Sequence, residues 1–190
     1  LGDHFGVMDL SIKPYPCCRM THAPIDVALE LSDSYSIDPE RIAGVSVHVS
    51  KMVSDMVGAP FKVRANPQVD AQFSIPYTTA VALRKGKVFL DDFISDTVKG
   101  ESSTLELAKK IKVSIDPKLP PNDISYSNMT VEMADGQTFS LKTDTPKGSP
   151  LRPMTFDECA HKFKDCLEYS KKSSLIKNSD LITDFIFNLE

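Results

Sequence analysis

Three stretches of strict alternation constrain this chain more than any other feature. Val45, Val47 and Val49 are interleaved with Ser46, His48 and Ser50, and Ile111, Val113 and Ile115 repeat the pattern. Met129, Val131 and Met133 carry it to Asp135-Gly136, after which Phe139 and Leu141 resume it. A period of two puts the apolar side chains on one face of a pleated strand. Asp-Gly between two such runs signals a hairpin, because both residues tolerate the left-handed backbone of a tight turn. The segments between the runs have helical spacing, without the strict strand and helix alternation of a parallel sheet. The expected fold is therefore α+β, a two-layer domain with an antiparallel sheet of about four strands.

Thr21 is placed to cap a first helix running to about Ser34, with Pro24 in its first turn and Ile25, Ala28, Leu29 and Ser32 on its buried stripe. Asp38-Pro39-Glu40 reads as a capped turn. One helix is expected from Ala71 to Lys85, with Pro76 near its start and Gly86 ending it. Shorter helices are expected over Leu90 to Val98 and Thr104 to Lys110, Ser103 and Glu106 having the spacing of a capping box. A loop rich in Pro and Gly from Asp144 to Pro153 leads to a second such box, Thr155 with Glu158. The helix it starts carries Phe156, Cys159, Ala160, Phe163, Cys166 and Leu167 on one face, a spacing expected of core. Ser179 is expected to cap a last helix bearing Leu181, Ile182, Phe185, Ile186 and Leu189. Residues 1–150 are expected to form the α+β domain and 151–190 the C-terminal helices.

Composition narrows the class of partner. The 190 residues hold 22 Lys and Arg against 26 Asp and Glu, a net charge of −4 without a basic block, which argues against nucleic acid. No apolar run approaches the roughly 18 to 20 residues of a membrane helix, and Leu1-Gly2-Asp3-His4 lacks the charged and apolar regions of a signal peptide. Four cysteines, two adjacent at Cys17 and Cys18, form neither a disulfide framework nor a CxxC zinc pair. A soluble, cytoplasmic protein is expected. The chain opens on Leu1 and reads as the middle of a longer one.

No catalytic motif is diagnostic by itself. Lys13 stands in an extended segment flanked by prolines, Lys13-Pro14-Tyr15-Pro16, where its ammonium can be held for a carboxylate or a proton transfer, or can be an ordinary solvated surface charge. His22 lies where a helix begins; the positive end of the dipole favours a neutral ring, able to act as base or donor, or simply bonded to local backbone. Arg64, before Pro67, suits bidentate carboxylate binding or the bare surface, and leads into a helix with Gln72 and Ser74. Cys17 and Cys18, with no orienting group visible, read as packing residues rather than nucleophiles. The histidines at 4, 22, 48 and 161 are too scattered for a local metal site.

Lys13-Pro14-Tyr15-Pro16-Cys17-Cys18, followed by Thr21-His22 and Ile25-Asp26, resembles a stretch of the MmgE/PrpD family, whose members include 2-methylcitrate dehydratase. Asp70-Ala71-Gln72-Phe73-Ser74-Ile75-Pro76-Tyr77, the Asp135-Gly136 hairpin, and Gly148, Pro150, Pro153, Met154 and Thr155 extend the likeness in the same order. The resemblance implies a two-part enzyme in which this α+β part, lid-like, faces a helical domain absent from these residues, to which the C-terminal helices return. It implies a cleft at which Lys13 and His22 are catalytic; Arg64, Gln72 and Ser74, from the reading of the polar loop and the helix after it, are the expected substrate-binding residues. Met20 stands where many relatives have His, and Arg152 where Asn is usual.

The family's chemistry is proton abstraction next to a carboxylate, for which a cation and hydrogen-bond donors stabilise the enolate-like charge that develops. The resemblance thus implies a carbon–oxygen lyase, a hydro-lyase of propionate metabolism acting on a small hydroxy di- or tricarboxylate. A decarboxylase or epimerase of the same family and a non-catalytic α+β module stay open as alternatives. No cofactor and no metal are expected. The expected partners are the polycarboxylate, the helical domain of the same chain and a second copy in a homodimer, with the 190 residues inactive alone.

Overall fold

The computed structural model describes residues 2, 3 and 5–189. They divide into two compact units, Tyr15–Lys147 and a second unit joining the residues up to Pro14 with those from Gly148 onward.

In the Tyr15–Lys147 unit, α1 (His22–Tyr35) precedes β1 (Ile42–Val49), and Asp38 caps the turn between them by accepting the Glu40 N–H at 3.0 Å. Five helices follow: α2 (Lys51–Val57), α3 (Pro67–Gln72), α4 (Ile75–Lys85), α5 (Ser95–Gly100) and α6 (Ser102–Lys109). Strands β2 (Ile111–Ile115), β3 (Ser127–Met133) and β4 (Thr138–Thr143) complete the unit.

The sheet order is β2-β1-β3-β4. Val47 of β1 is opposite Val113 of β2 and Met129 of β3, and Met129 is opposite Leu141 of β4. The α+β class and four strands are as the alternation predicts. One pairing corrects the expected antiparallel sheet: β1 and β2 run parallel, because the chain between them crosses back through α2 to α6 rather than through a hairpin. β3 and β4 are joined by the Asp135-Gly136 turn, with Gly136 at φ +85°.

Val45, Val47, Val49, Met129 and Val131 bury one face of the sheet, and α1 and α4 provide Ile25, Leu31, Ile75 and Tyr77 to the same core. On the opposite face Thr130 and Ser140 share an exposed hydroxyl bond of 2.8 Å. This one-sided burial is what the period of two demands.

Several boundaries differ from expectation for local reasons. The helix expected over Ala71 to Lys85 is two helices, broken at Phe73-Ser74, where Ser74 is extended and accepts the Tyr77 N–H at 3.2 Å. A continuous helix would drive the Pro76 ring into the carbonyl of Gln72. That carbonyl instead accepts the Cys18 N–H at 3.0 Å. Thr21 does not cap α1, since its hydroxyl donates back to the Cys18 carbonyl at 2.8 Å. Ser103 makes no capping box; Glu101 precedes α6 and its carboxylate accepts the Thr104 hydroxyl at 3.0 Å. α2, capped by Ser50, is a helix the periodicity did not indicate.

In the other unit, α7 (Phe156–Ser170) starts with the expected box: the Glu158 N–H donates to Thr155 Oγ1 at 3.2 Å, and the Thr155 N–H to Glu158 Oε2 at 2.9 Å. α7 packs with α8 (Ser173–Lys177) and α9 (Ser179–Phe187), and the Phe156 and Phe187 rings meet at 4.9 Å. On the face of α7 expected to be core, Leu167 is buried, Cys159, Ala160, Phe163 and Cys166 are half-buried, and Phe156 is exposed. Ser179 makes no cap, because the position before α9 is held by Asn178. Among the described residues no helix is long and apolar enough to cross a membrane.

Candidate functional site

The segment from Tyr15 to His22 is assembled by its own backbone. Pro16 keeps Tyr15 out of helical conformation, and the Gln72 side chain donates to the Pro16 carbonyl at 2.8 Å. With the Cys18 N–H held by the Gln72 carbonyl, both ends of one residue at the α3–α4 break secure the stretch. Arg19–Thr21 then form a 3-10 turn that delivers His22 as the first residue of α1.

A closed ring of five residues surrounds that helix start. Tyr15 Oη donates to Asp26 Oδ1 at 2.6 Å, and the Lys147 backbone N–H donates to Asp26 Oδ2 at 2.6 Å. The Lys147 carbonyl accepts from Arg19 Nη1 at 3.1 Å, and the same Nη1 lies 3.2 Å from His22 Nδ1. The circuit closes where the Tyr15 ring meets the imidazole edge-on, centroids 5.2 Å apart at 65°. His22 is 0% exposed and Asp26 6%. His22 and Asp26 are four residues apart on α1, one turn, which puts both on one side of the helix. Burial lowers the Arg19 guanidinium from its usual range, an effect countered by the nearby charges of Asp26 and Tyr15, and it remains a cation.

The residues singled out from the sequence are distributed as follows. His22 is in the ring, and Gln72 is bonded to the segment that builds it. Ser74 is buried as the cap of α4, its hydroxyl taken by Tyr77 and its carbonyl by the Thr78 hydroxyl at 2.8 Å. Arg64 is elsewhere, its Nε 3.0 Å from Asp70 Oδ1 and its side chain 76% exposed. Lys13 belongs to the other unit, where it is exposed and its carbonyl accepts from Lys162 Nζ at 2.6 Å. Cys17 is buried, its Sγ 3.1 Å from the Thr21 hydroxyl.

Tyr15, Arg19, Asp26 and Lys147 were not singled out as site residues. The one-turn spacing of His22 and Asp26 was a usable signal only that the two share one side of α1. Nothing local points to Lys147, which stands 121 residues beyond Asp26. A shallow polar pocket lined by Glu40, Arg84, Ser102, Glu106 and Lys110 shares no residue with the ring, and its Arg84 is paired with Glu40 at 2.6 Å. Among the described residues no three His, Cys, Asp or Glu side chains are grouped to hold a metal ion.

The model of the MmgE/PrpD C-terminal domain matches residues 15–181, and the chain belongs to that family. The chain is similar to the cis-aconitate decarboxylase of Mus musculus, 26% identical over 159 residues that cover 82% of this chain and 32% of the relative. It is also similar to the cis-aconitate decarboxylases of Aspergillus terreus, 23% identical with 100% and 40% covered, and of Homo sapiens, 24% identical with 89% and 36% covered. The chain thus spans between 32% and 40% of the length of these relatives.

These relatives confirm the family resemblance and overturn one expectation. Each is by name a decarboxylase, a carboxy-lyase that breaks a carbon–carbon bond, whereas the hydro-lyase expected from the sequence breaks a carbon–oxygen bond. The dehydratase and propionate-metabolism readings fall with it.

Proposed function

We propose that this chain is the C-terminal part of a decarboxylase acting on a small unsaturated polycarboxylate of the cis-aconitate type. The observation that carries the reading is the family match over residues 15–181 together with relatives that are cis-aconitate decarboxylases. The rest of the polypeptide, expected to contain a helical domain, is proposed to complete the enzyme, and a homodimer is its proposed assembly.

The physical demands of the reaction suit the ring around His22. When a carboxylate leaves as carbon dioxide, its bonding electron pair stays on carbon, is delocalised into the adjoining unsaturated carboxylate, and is finally taken up by a proton. Groups that donate hydrogen bonds to the carboxylates that remain stabilise the charge as it spreads. A donor shielded from bulk water acts most strongly; His22, wholly enclosed, is proposed to act through the residues of its ring rather than by touching substrate. Lys13 is proposed as a cation for a substrate carboxylate. Gln72 and Ser74 are proposed to act through the backbone they hold, Gln72 on Pro16 and Cys18 and Ser74 on the start of α4.

The test is to give the full-length protein a panel of unsaturated and hydroxy polycarboxylates, including cis-aconitate, and score carbon dioxide release, water loss and racemisation. Carbon dioxide release from cis-aconitate is expected. Turnover of the panel without carbon dioxide, or no turnover at all, overturns the proposal.

A further inference from the structure

We propose that Arg19 is a positioning residue that locks the His22 imidazole in the tautomer carrying its proton on Nε2. In any part His22 takes in the reaction proposed above, it is then a hydrogen-bond donor and not a proton acceptor. That consequence rests on the decarboxylase reading, while the tautomer itself rests on geometry alone.

A guanidinium has five N–H donors and no acceptor, and it stays protonated at any physiological pH. Arg19 Nη1 lies 3.2 Å from His22 Nδ1 and 3.1 Å from the Lys147 carbonyl, so its two hydrogens have one acceptor each. Nδ1 must therefore offer its lone pair. A neutral imidazole has a single N–H, so that hydrogen is on Nε2. The opposite tautomer would set one N–H against another at a wholly buried imidazole.

Arg19 is itself held in register, which turns a contact into a lock. The Lys147 carbonyl that accepts from it belongs to the same residue whose N–H is bound by Asp26, and Asp26 is fixed on its other oxygen by Tyr15. The Tyr15 ring packs edge-on against the imidazole, which opposes a flip that would exchange the two nitrogens. The sequence left base and donor equally open for His22; the orientation of one guanidinium separates them.

The decisive measurement is the ring nitrogen resonances of His22 in full-length protein labelled with nitrogen-15 at histidine only, its signals being those missing from His22→Gln. The expected wild-type pattern at neutral pH is a protonated, pyrrole-type Nε2 and a bare, pyridine-type Nδ1. Arg19→Met should redistribute the proton between the two nitrogens; Arg19→Leu, which likewise has no donor, should do the same and serves if the Met variant does not fold. A proton on Nδ1 in the wild type, or an unchanged pattern in whichever variant folds, overturns the inference. The measurement needs no substrate, so a protein that shows the Nε2 tautomer yet releases no carbon dioxide from cis-aconitate defeats only the functional proposal.

Discussion

Asp26 reaches across 121 residues of sequence to accept the backbone N–H of Lys147 at 2.6 Å, while its other oxygen takes the Tyr15 hydroxyl at the same distance. The carboxylate thus ties the first helix to the end of the unit. Removing it takes from a half-buried N–H and a half-buried phenol this acceptor, and such losses cost up to about 1–3 kcal/mol each. Asp26→Ala is expected to lower unfolding free energy by about 2–4 kcal/mol, read from chemical denaturation. A midpoint unchanged from wild type would show that the ring contributes no stability.

Lys13 carries the proposed charge for a substrate carboxylate, and its side chain is exposed rather than part of a core. Lys13→Ala in the complete protein should therefore reduce kcat/KM by roughly 100-fold or more, with the thermal unfolding curve in place. Rates near wild type would remove Lys13 from the reaction.

Lys85 joins two carboxylates, Asp92 at 2.6 Å and Glu101 at 2.6 Å. Burial pushes the Glu101 carboxyl up, but hydrogen bonds from Lys85 and Thr104 and the charges of Lys85 and Arg84 outweigh it and hold it below the ordinary value. A carboxyl depressed on folding contributes stability that is present above its unfolded value and is lost as the pH falls through the folded one. Lys85 is the converse: burial opposes its charge, the two carboxylates outweigh burial, and its raised value gives stability that is lost only at strongly alkaline pH. Unfolding free energy followed downward from about pH 4.5 should fall less steeply in Glu101→Gln than in wild type. Identical slopes would refute the assignment.

Gly148 combines a φ of +78° with a close approach to the Ile12 carbonyl, 1.9 Å from where a Cβ would stand. It also accepts the Ile12 N–H at 2.8 Å and donates to the Arg152 carbonyl at 2.8 Å. Gly148→Ala has both a strained backbone and no room, so a loss of about 2–4 kcal/mol is expected. Faster proteolysis near residues 10–14 would report the loosened pairing, and an unaltered digestion pattern would contradict it.

Alternation in β1 and across the β3–β4 hairpin was fully legible, because a period of two and an Asp-Gly turn are properties of a few neighbouring residues. The Thr155–Glu158 box and the Gly86 end of α4 were legible for the same reason. What misled was chemistry with two local solutions. Thr21 has the residue type of a cap, yet its hydroxyl turns back to Cys18. Ala71 to Lys85 has helical spacing throughout, yet Pro76 and Ser74 break it.

The order of residues by itself determined the α+β class, the hairpin and the family, since each is written in contiguous patterns. Only the tertiary structure decided that β2 runs parallel to β1, that the Gln72 carbonyl freed by Pro76 binds Cys18, and that Arg19 meets Nδ1 of His22. These relations depend on residues brought together by packing from distant parts of the chain. A hydrogen bond needs its partner within about 3 Å and well aligned, and no local pattern specifies which distant atom will be there.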